Sequence, residues 1–168
     1  SYAANENPRQ TLDLLLPNDA TNELRPCLIF VHGGAWRSGN KSHGHSHLRP
    51  YVDSQKYVGV SIGYRLSNEA IWPAQLYDCK AAIRFLYANA KKYKIDTKRM
   101  LVFGTSAGGH LASMIAVTGN HENLAGTVGR HLNEPSKVTG AISYYGPTDF
   151  LRMDDFPSQI THNSSDSP

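Results

Sequence analysis

Met100-Leu-Val-Phe-Gly-Thr-Ser-Ala-Gly-Gly-His-Leu111 is the stretch that decides the fold. It opens with a short apolar run, Met100 to Phe103, the pattern of a strand buried on both faces. The residues from Ala107 to Val117 are apolar almost all round, which predicts a helix in the interior. Between them, Gly104-Thr105-Ser106-Ala107-Gly108 fits G-x-S-x-G, and a strand feeding directly into a helix is the setting that gives this motif meaning. So tight a turn strains the serine backbone and lifts its hydroxyl out of the sheet. Large side chains at Gly104 or Gly108 would collide with neighbouring backbone. The helix N-terminus adds free N–H groups and partial positive charge, a setting able to stabilise an oxyanion. Ser106 is therefore the candidate nucleophile. The plainer alternatives are a glycine-rich turn that only starts a helix, or a phosphate loop, for which no Lys follows at P-loop spacing.

A second motif lies upstream. His32-Gly33-Gly34-Ala35-Trp36 follows the apolar run Cys27 to Val31. Small residues here let backbone N–H groups approach a carbonyl oxygen closely. In an HGGG-type loop such amides work with the N–H after the nucleophile. The candidate donors are the amides of Gly34, Ala35 and Ala107, with His32 and Gly33 as the supporting loop.

The remaining pattern extends this frame. Thr11 to Leu16, Tyr57 to Ile62 and Val138 to Tyr145 read as strands. Pro73 to Lys92 reads as one helix, with Pro73 in its first turn and an apolar stripe of Leu76, Cys79, Ile83, Leu86 and Ala90. Strands alternating with helices predict an α/β protein with a parallel sheet and right-handed crossovers, whose sites lie at the carboxyl ends of strands. The 168 residues suffice for one domain, with 151–168 as a lid or loop segment.

Composition narrows the class. The net charge is +3 with Lys and Arg scattered, so nucleic-acid binding has little support. Lys91, Lys92 and Lys94 suit a solvated helix C-terminus. Cys27 and Cys79 are expected as buried free thiols. No apolar run approaches a membrane span.

Taken together, His32-Gly-Gly-Ala-Trp36, Gly63-Tyr-Arg-Leu66, Trp72-Pro-Ala-Gln75, Asp78-Cys-Lys-Ala-Ala-Ile-Arg84, Gly104-Thr-Ser-Ala-Gly-Gly-His-Leu111 and Tyr145-Gly-Pro-Thr-Asp149 resemble the hormone-sensitive-lipase-like α/β-hydrolases, in particular bacterial carboxylesterases of the feruloyl-esterase type. The resemblance runs from Asn7-Pro-Arg-Gln-Thr-Leu-Asp13 onward. It implies the α/β-hydrolase fold, a mostly parallel sheet with helices on both faces. It also implies ester hydrolysis through an acyl-enzyme, with no metal or organic cofactor and with a small-molecule or polysaccharide-linked ester as substrate. Ala35 stands where the family more often has a third Gly. The HGG-x-Trp form also resembles kynurenine formamidases, so an arylformamidase is an alternative; a non-catalytic binding module is a third reading. The compartment, periplasmic or secreted against cytoplasmic, is left open.

Family order is Ser, then Asp or Glu, then His. The acid and histidine are accordingly expected beyond Pro168 with further strands of the domain, which would leave 138–145 as an exposed apolar sheet edge. Candidates within the chain fit less well. Asp149 and His162 are too close in sequence for a strand, helix and strand between them, and Asp149 reads as a turn or cap residue after Pro147. His32, Asp78 and Ser106 mimic another protease order but sit in the wrong motifs. His110, one turn after Ser106, is expected to satisfy local backbone or loop groups. His43, His45 and His47 alternate in Lys41 to His47; an exposed polar helix is preferred there over a metal site, since no carboxylate or cysteine accompanies them in that stretch.

Overall fold

The computed structural model describes residues 1–19, 21–119 and 121–155. Five strands form one sheet: β1 (Leu12–Leu15), β2 (Arg25–Val31), β3 (Val58–Ile62), β4 (Ile95–Thr105) and β5 (Gly140–Tyr144), in the order β1-β3-β2-β4-β5. Only β1 runs antiparallel, with Leu12 opposite Ile62 and Leu15 opposite Gly59. The parallel core aligns Val31 with Ile62 on one side and with Gly104 on the other. β5 adds to β4, Leu101 facing Gly140 and Thr105 facing Tyr144.

Each crossover between parallel strands carries a helix: α1 (Gly44–Asp53), α2 (Ala74–Ala88) with the short α3 (Ala90–Tyr93), and α4 (Ala107–Val117). The pleat of β2 shows where they lie. Cys27, Ile29 and Val31 join Leu76, Ile83, Leu111 and Ile115 in the main core. Leu28 and Phe30 point the other way and pack on Leu48 of α1, with Phe103 and Leu101 beside them. Helices therefore cover both faces of the sheet, which is why β2 and β3 are apolar at nearly every position.

The elements match the sequence expectation with instructive shifts. The single helix expected over 73–92 stops at Ala88. Asn89 turns out of the helix at φ −111°, its amide and side chain both donating to Phe85 O, and Lys94 closes the second piece in the left-handed conformation at φ 56°. Lys91 and Lys92 do lie in the last helical turn. Pro73 precedes the helix rather than lying inside its first turn. The polar helix expected near Lys41–His47 is a 3-10 turn followed by α1, which continues through Pro50 because Gly44, Leu48 and Val52 bury one face. β4 begins five residues earlier than its apolar run. The thiols of Cys27 and Cys79 are free and buried. Among the described residues no helix is long and apolar enough to cross a membrane. Phe150–Asp155 forms a 3-10 helix; the remainder of the segment expected as lid or loop, 156–168, lies outside the described residues.

Candidate active site

Ser106 joins β4 to α4 with φ 54° and ψ −122°, a backbone state that L-residues rarely adopt. The flanking glycines follow from close approach. A Cβ on Gly104 would lie 2.4 Å from Gly108 O, and one on Gly108 would lie 2.1 Å from Val31 O. With hydrogen alone at both positions, the start of α4 nests against the end of β2. The Ser106 amide donates to Tyr144 O (2.9 Å), and His110 N–H donates to Ser106 O (3.0 Å), the first hydrogen bond of the helix. The amides of Ala107, Gly108 and Gly109 precede that bond and have no intrahelical acceptor. No acidic side chain sits in this first turn to offset its positive end.

The 32–36 loop leaves β2 beside this turn. A Cβ on Gly33 would come within 3.4 Å of Ser106 Cβ and 2.7 Å of Thr105 O. Gly34, Ala35 and Trp36 then adopt three successive positive φ values of 112°, 52° and 57°. Gly34 O turns back into the loop, accepting from Arg37 N (2.9 Å) and Ser38 N (3.0 Å). Among the described residues the amides of Gly34 and Ala35 donate to no protein acceptor. The structure thus brings Ser106, Gly33, Gly34, Ala35 and Ala107 to one end of the sheet.

His32 is fully buried. Its ring stacks on Tyr64 at 4.2 Å, its Nδ1 meets Gly33 O at 2.7 Å, and burial pulls its pKa down to about 4. Tyr64 is a core residue whose hydroxyl donates to His32 O (2.8 Å). Trp36 does line a cavity of about 490 Å³, together with Ala35, Arg37, Ser67, Trp72, Gln75, His110, Met114 and Phe150. Ser106 is not part of this wall; the cavity meets the loop at Ala35 and α4 at His110.

Several sequence expectations are corrected here. His110 does not satisfy local groups: its buried Nδ1 has no partner among the described residues, and the ring packs between Trp36 (5.3 Å), Trp72 (5.4 Å) and Phe150 (5.1 Å). Burial lowers its pKa. It is a wall of the cavity. His45 does have a carboxylate, Asp13 of β1, at 2.8 Å, and Lys41 shares that carboxylate. His43 lies edge-on to His32 and His47 stacks on Phe30, so the three rings diverge, and the described residues contain no group of metal-ligating side chains. Asp78 is wholly occupied by Arg65 and Gln10, not by His32. Asp149 is exposed, its carbonyl accepting from Arg152 N ahead of the 3-10 helix, and His162 lies outside the described residues. Sequence reasoning missed Trp72, His110, Met114 and Phe150 as cavity residues. The one available signal was the aromatic content near turns, as at Trp72-Pro73.

Comparisons with known proteins place the chain by family and fold. Residues 12–168 match the BD-FAE family model. The chain is 31% identical over 145 residues to esterase LipC of Mycobacterium tuberculosis, an alignment covering 86% of this chain and 36% of LipC. Among solved structures it resembles a bifunctional GH43-CE protein of Bacteroides eggerthii (TM-score 0.86, 34% identity, 92% of this chain and 21% of that one). It also resembles a truncated carbohydrate esterase from gut microbiota (TM-score 0.85, 33% identity, 92% of this chain and 57% of that one). The chain spans about a third of the length of the curated relatives it matches.

Proposed function

The chain belongs to the BD-FAE family of hormone-sensitive-lipase-like α/β-hydrolases, and from that premise we propose that it carries the nucleophile and oxyanion loop of a serine carboxylesterase acting on short acyl or aryl esters. The observation that carries this reading is the pairing of a strained Ser106 with a loop whose Gly34 and Ala35 amides have no protein acceptor among the described residues. In the reaction, Ser106 Oγ attacks the ester carbonyl carbon as a general base takes the hydroxyl proton. The carbonyl oxygen becomes an oxyanion that accepts from the amides of Gly34, Ala35 and Ala107. Collapse expels the leaving group, which takes that proton and departs as the alcohol, and leaves an acyl-Ser106 ester that water hydrolyses to the free acid and Ser106. Esterase and carbohydrate-esterase relatives support the reaction class.

Neither His32 nor His110 serves as the base in this reading. His32 is held by Gly33 and Tyr64, and His110 is walled in by aromatic rings. The cavity supports an aryl or other flat apolar substituent, because Trp36, Trp72 and Phe150 present ring faces and edges at ligand-pocket size.

The test is Ser106→Ala in the protein that carries this chain. Hydrolysis of an aryl acetate and of methyl ferulate falls by at least about a thousandfold, and a fluorophosphonate labels wild-type Ser106 but not the variant. Unchanged turnover by Ser106→Ala overturns the assignment and leaves a binding module. Faster cleavage of N-formylkynurenine than of either ester would replace esterase with arylformamidase.

A further inference from the structure

Three consecutive positive φ values in the 34–36 loop, two at residues with side chains, persist only when the surroundings over-determine them. One segment that holds the loop is Tyr64–Ser67, leaving β3. It grips the loop at both ends. Tyr64 hydroxyl donates to His32 O (2.8 Å) while its ring stacks on the His32 ring, and Ser67 N–H donates to Trp36 O (2.8 Å).

That segment is in turn held by two carboxylates, Glu69 accepting from Leu66 N (3.0 Å) and Asp78 gripping Arg65. Asp78, on α2, is fully buried. Its Oδ2 accepts from Arg65 N (2.9 Å) and Arg65 Nε (2.9 Å); its Oδ1 accepts from Arg65 Nη2 (2.7 Å) and Gln10 Nε2 (2.7 Å). A buried ion pair gains little net stability over apolar packing, because desolvation offsets the attraction. What this one does gain is geometry: a two-pronged guanidinium clamp plus a backbone bond fix Arg65, and Tyr64 and Ser67 lie on either side of it.

We infer that Asp78 is a positioning residue for the oxyanion loop, acting through Arg65 and the Ser67–Trp36 hydrogen bond. The inference rests on the esterase reading above. Asp78 touches no reacting atom. Its loss would let residues 34–36 relax and move the Gly34 and Ala35 amides off the developing oxyanion, a transition-state defect rather than a binding defect.

The experiment uses Asp78→Asn in the protein that carries this chain, assayed well below its melting temperature. The side chain stays the same size, but its amide cannot accept the guanidinium fork. For an aryl acetate, kcat falls by about ten- to a hundredfold while KM stays within about threefold, below the loss from deleting a whole oxyanion donor. Hydrogen exchange of the Ser67 amide speeds up while amides of β4 stay protected, a local loosening that global destabilisation would not give. Arg65→Lys, which keeps the charge but not the fork, shows the same split and decides the matter if Asp78→Asn fails to fold. Unchanged kcat with unchanged Ser67 exchange overturns the inference, as does a rise in KM alone. If Ser106→Ala also retains activity, it is the esterase reading that has failed; if Ser106→Ala is dead and Asp78→Asn is normal, only the positioning role has.

Discussion

At the scale of single residues, His32 carries a measurable cost. Its imidazole is fully buried, and burial brings its pKa from about 6.5 to about 4. An unfolded chain takes up a proton at this position below pH 6.5, whereas the native state refuses it until about pH 4. Stability from this residue is therefore fully present above pH 6.5, declines as pH falls through 6.5 toward 4, and is flat below that, a total of about 3 kcal/mol. Urea midpoints measured from pH 7.5 to 4 should trace this decline in the wild type and a shallower one in His32→Gln. Ser106, Gly104 and Gly108 were legible because the steric demand of a tight strand-to-helix turn leaves a fixed signature in sequence. His110 was not. Its spacing marks a helix face, but whether that face meets backbone or a ring of aromatics depends on Trp36, Trp72 and Phe150, which arrive from three separate segments.

At the scale of elements, α2 has two buried faces where its periodicity shows one. Leu76, Cys79, Ile83 and Leu86 form the apolar stripe read from the sequence. A second stripe, Tyr77, Lys80, Arg84 and Tyr87, serves as a row of donors. Tyr77 hydroxyl donates to Asn123 O, Lys80 Nζ to Thr118 O, the Arg84 guanidinium to Ala125 O and Val128 O, and Tyr87 hydroxyl to Lys137 O. The irregular chain after α4 thus has its carbonyls satisfied from outside itself. Nothing in the pattern marks Lys80 or Arg84 as buried, since cations at helical spacing ordinarily face water. Burial, then the neighbouring Arg84 charge, lowers the Lys80 pKa to about 8. Between that pH and about 10.4 the unfolded chain holds a proton the native state has released, so this residue's contribution rises as pH climbs through the window. Wild type should gain stability relative to Lys80→Met from pH 8 to 10, as denaturation midpoints of the two proteins would show.

At the scale of the whole molecule, the sheet ends on one side at β1, antiparallel and short, and on the other at β5 among the described residues. β5 leaves Ile142 42% and Tyr144 49% exposed, with Tyr145 beyond it at 78%. An apolar edge with unpaired backbone groups recruits another strand. Residues 1–168 purified alone should therefore self-associate with rising concentration, and Ile142→Lys together with Tyr144→Lys should shift sedimentation back toward the monomer. The mostly parallel sheet and the coverage of both faces were readable because β2 and β3 are apolar without alternation, which only a sheet sandwiched between helices requires. The reach of β4 back to Ile95 was not, since it depends on pairing with Arg25, distant in sequence.

Cys27 in the middle of β2 and Cys79 on the facing side of α2 share one core and are both fully buried, with thiols whose ionisation burial suppresses. The molecule thereby carries two built-in reporters. A thiol reagent in solution can find them only in those moments when helix and sheet part, so the pace of alkylation reads out how often the interior breathes.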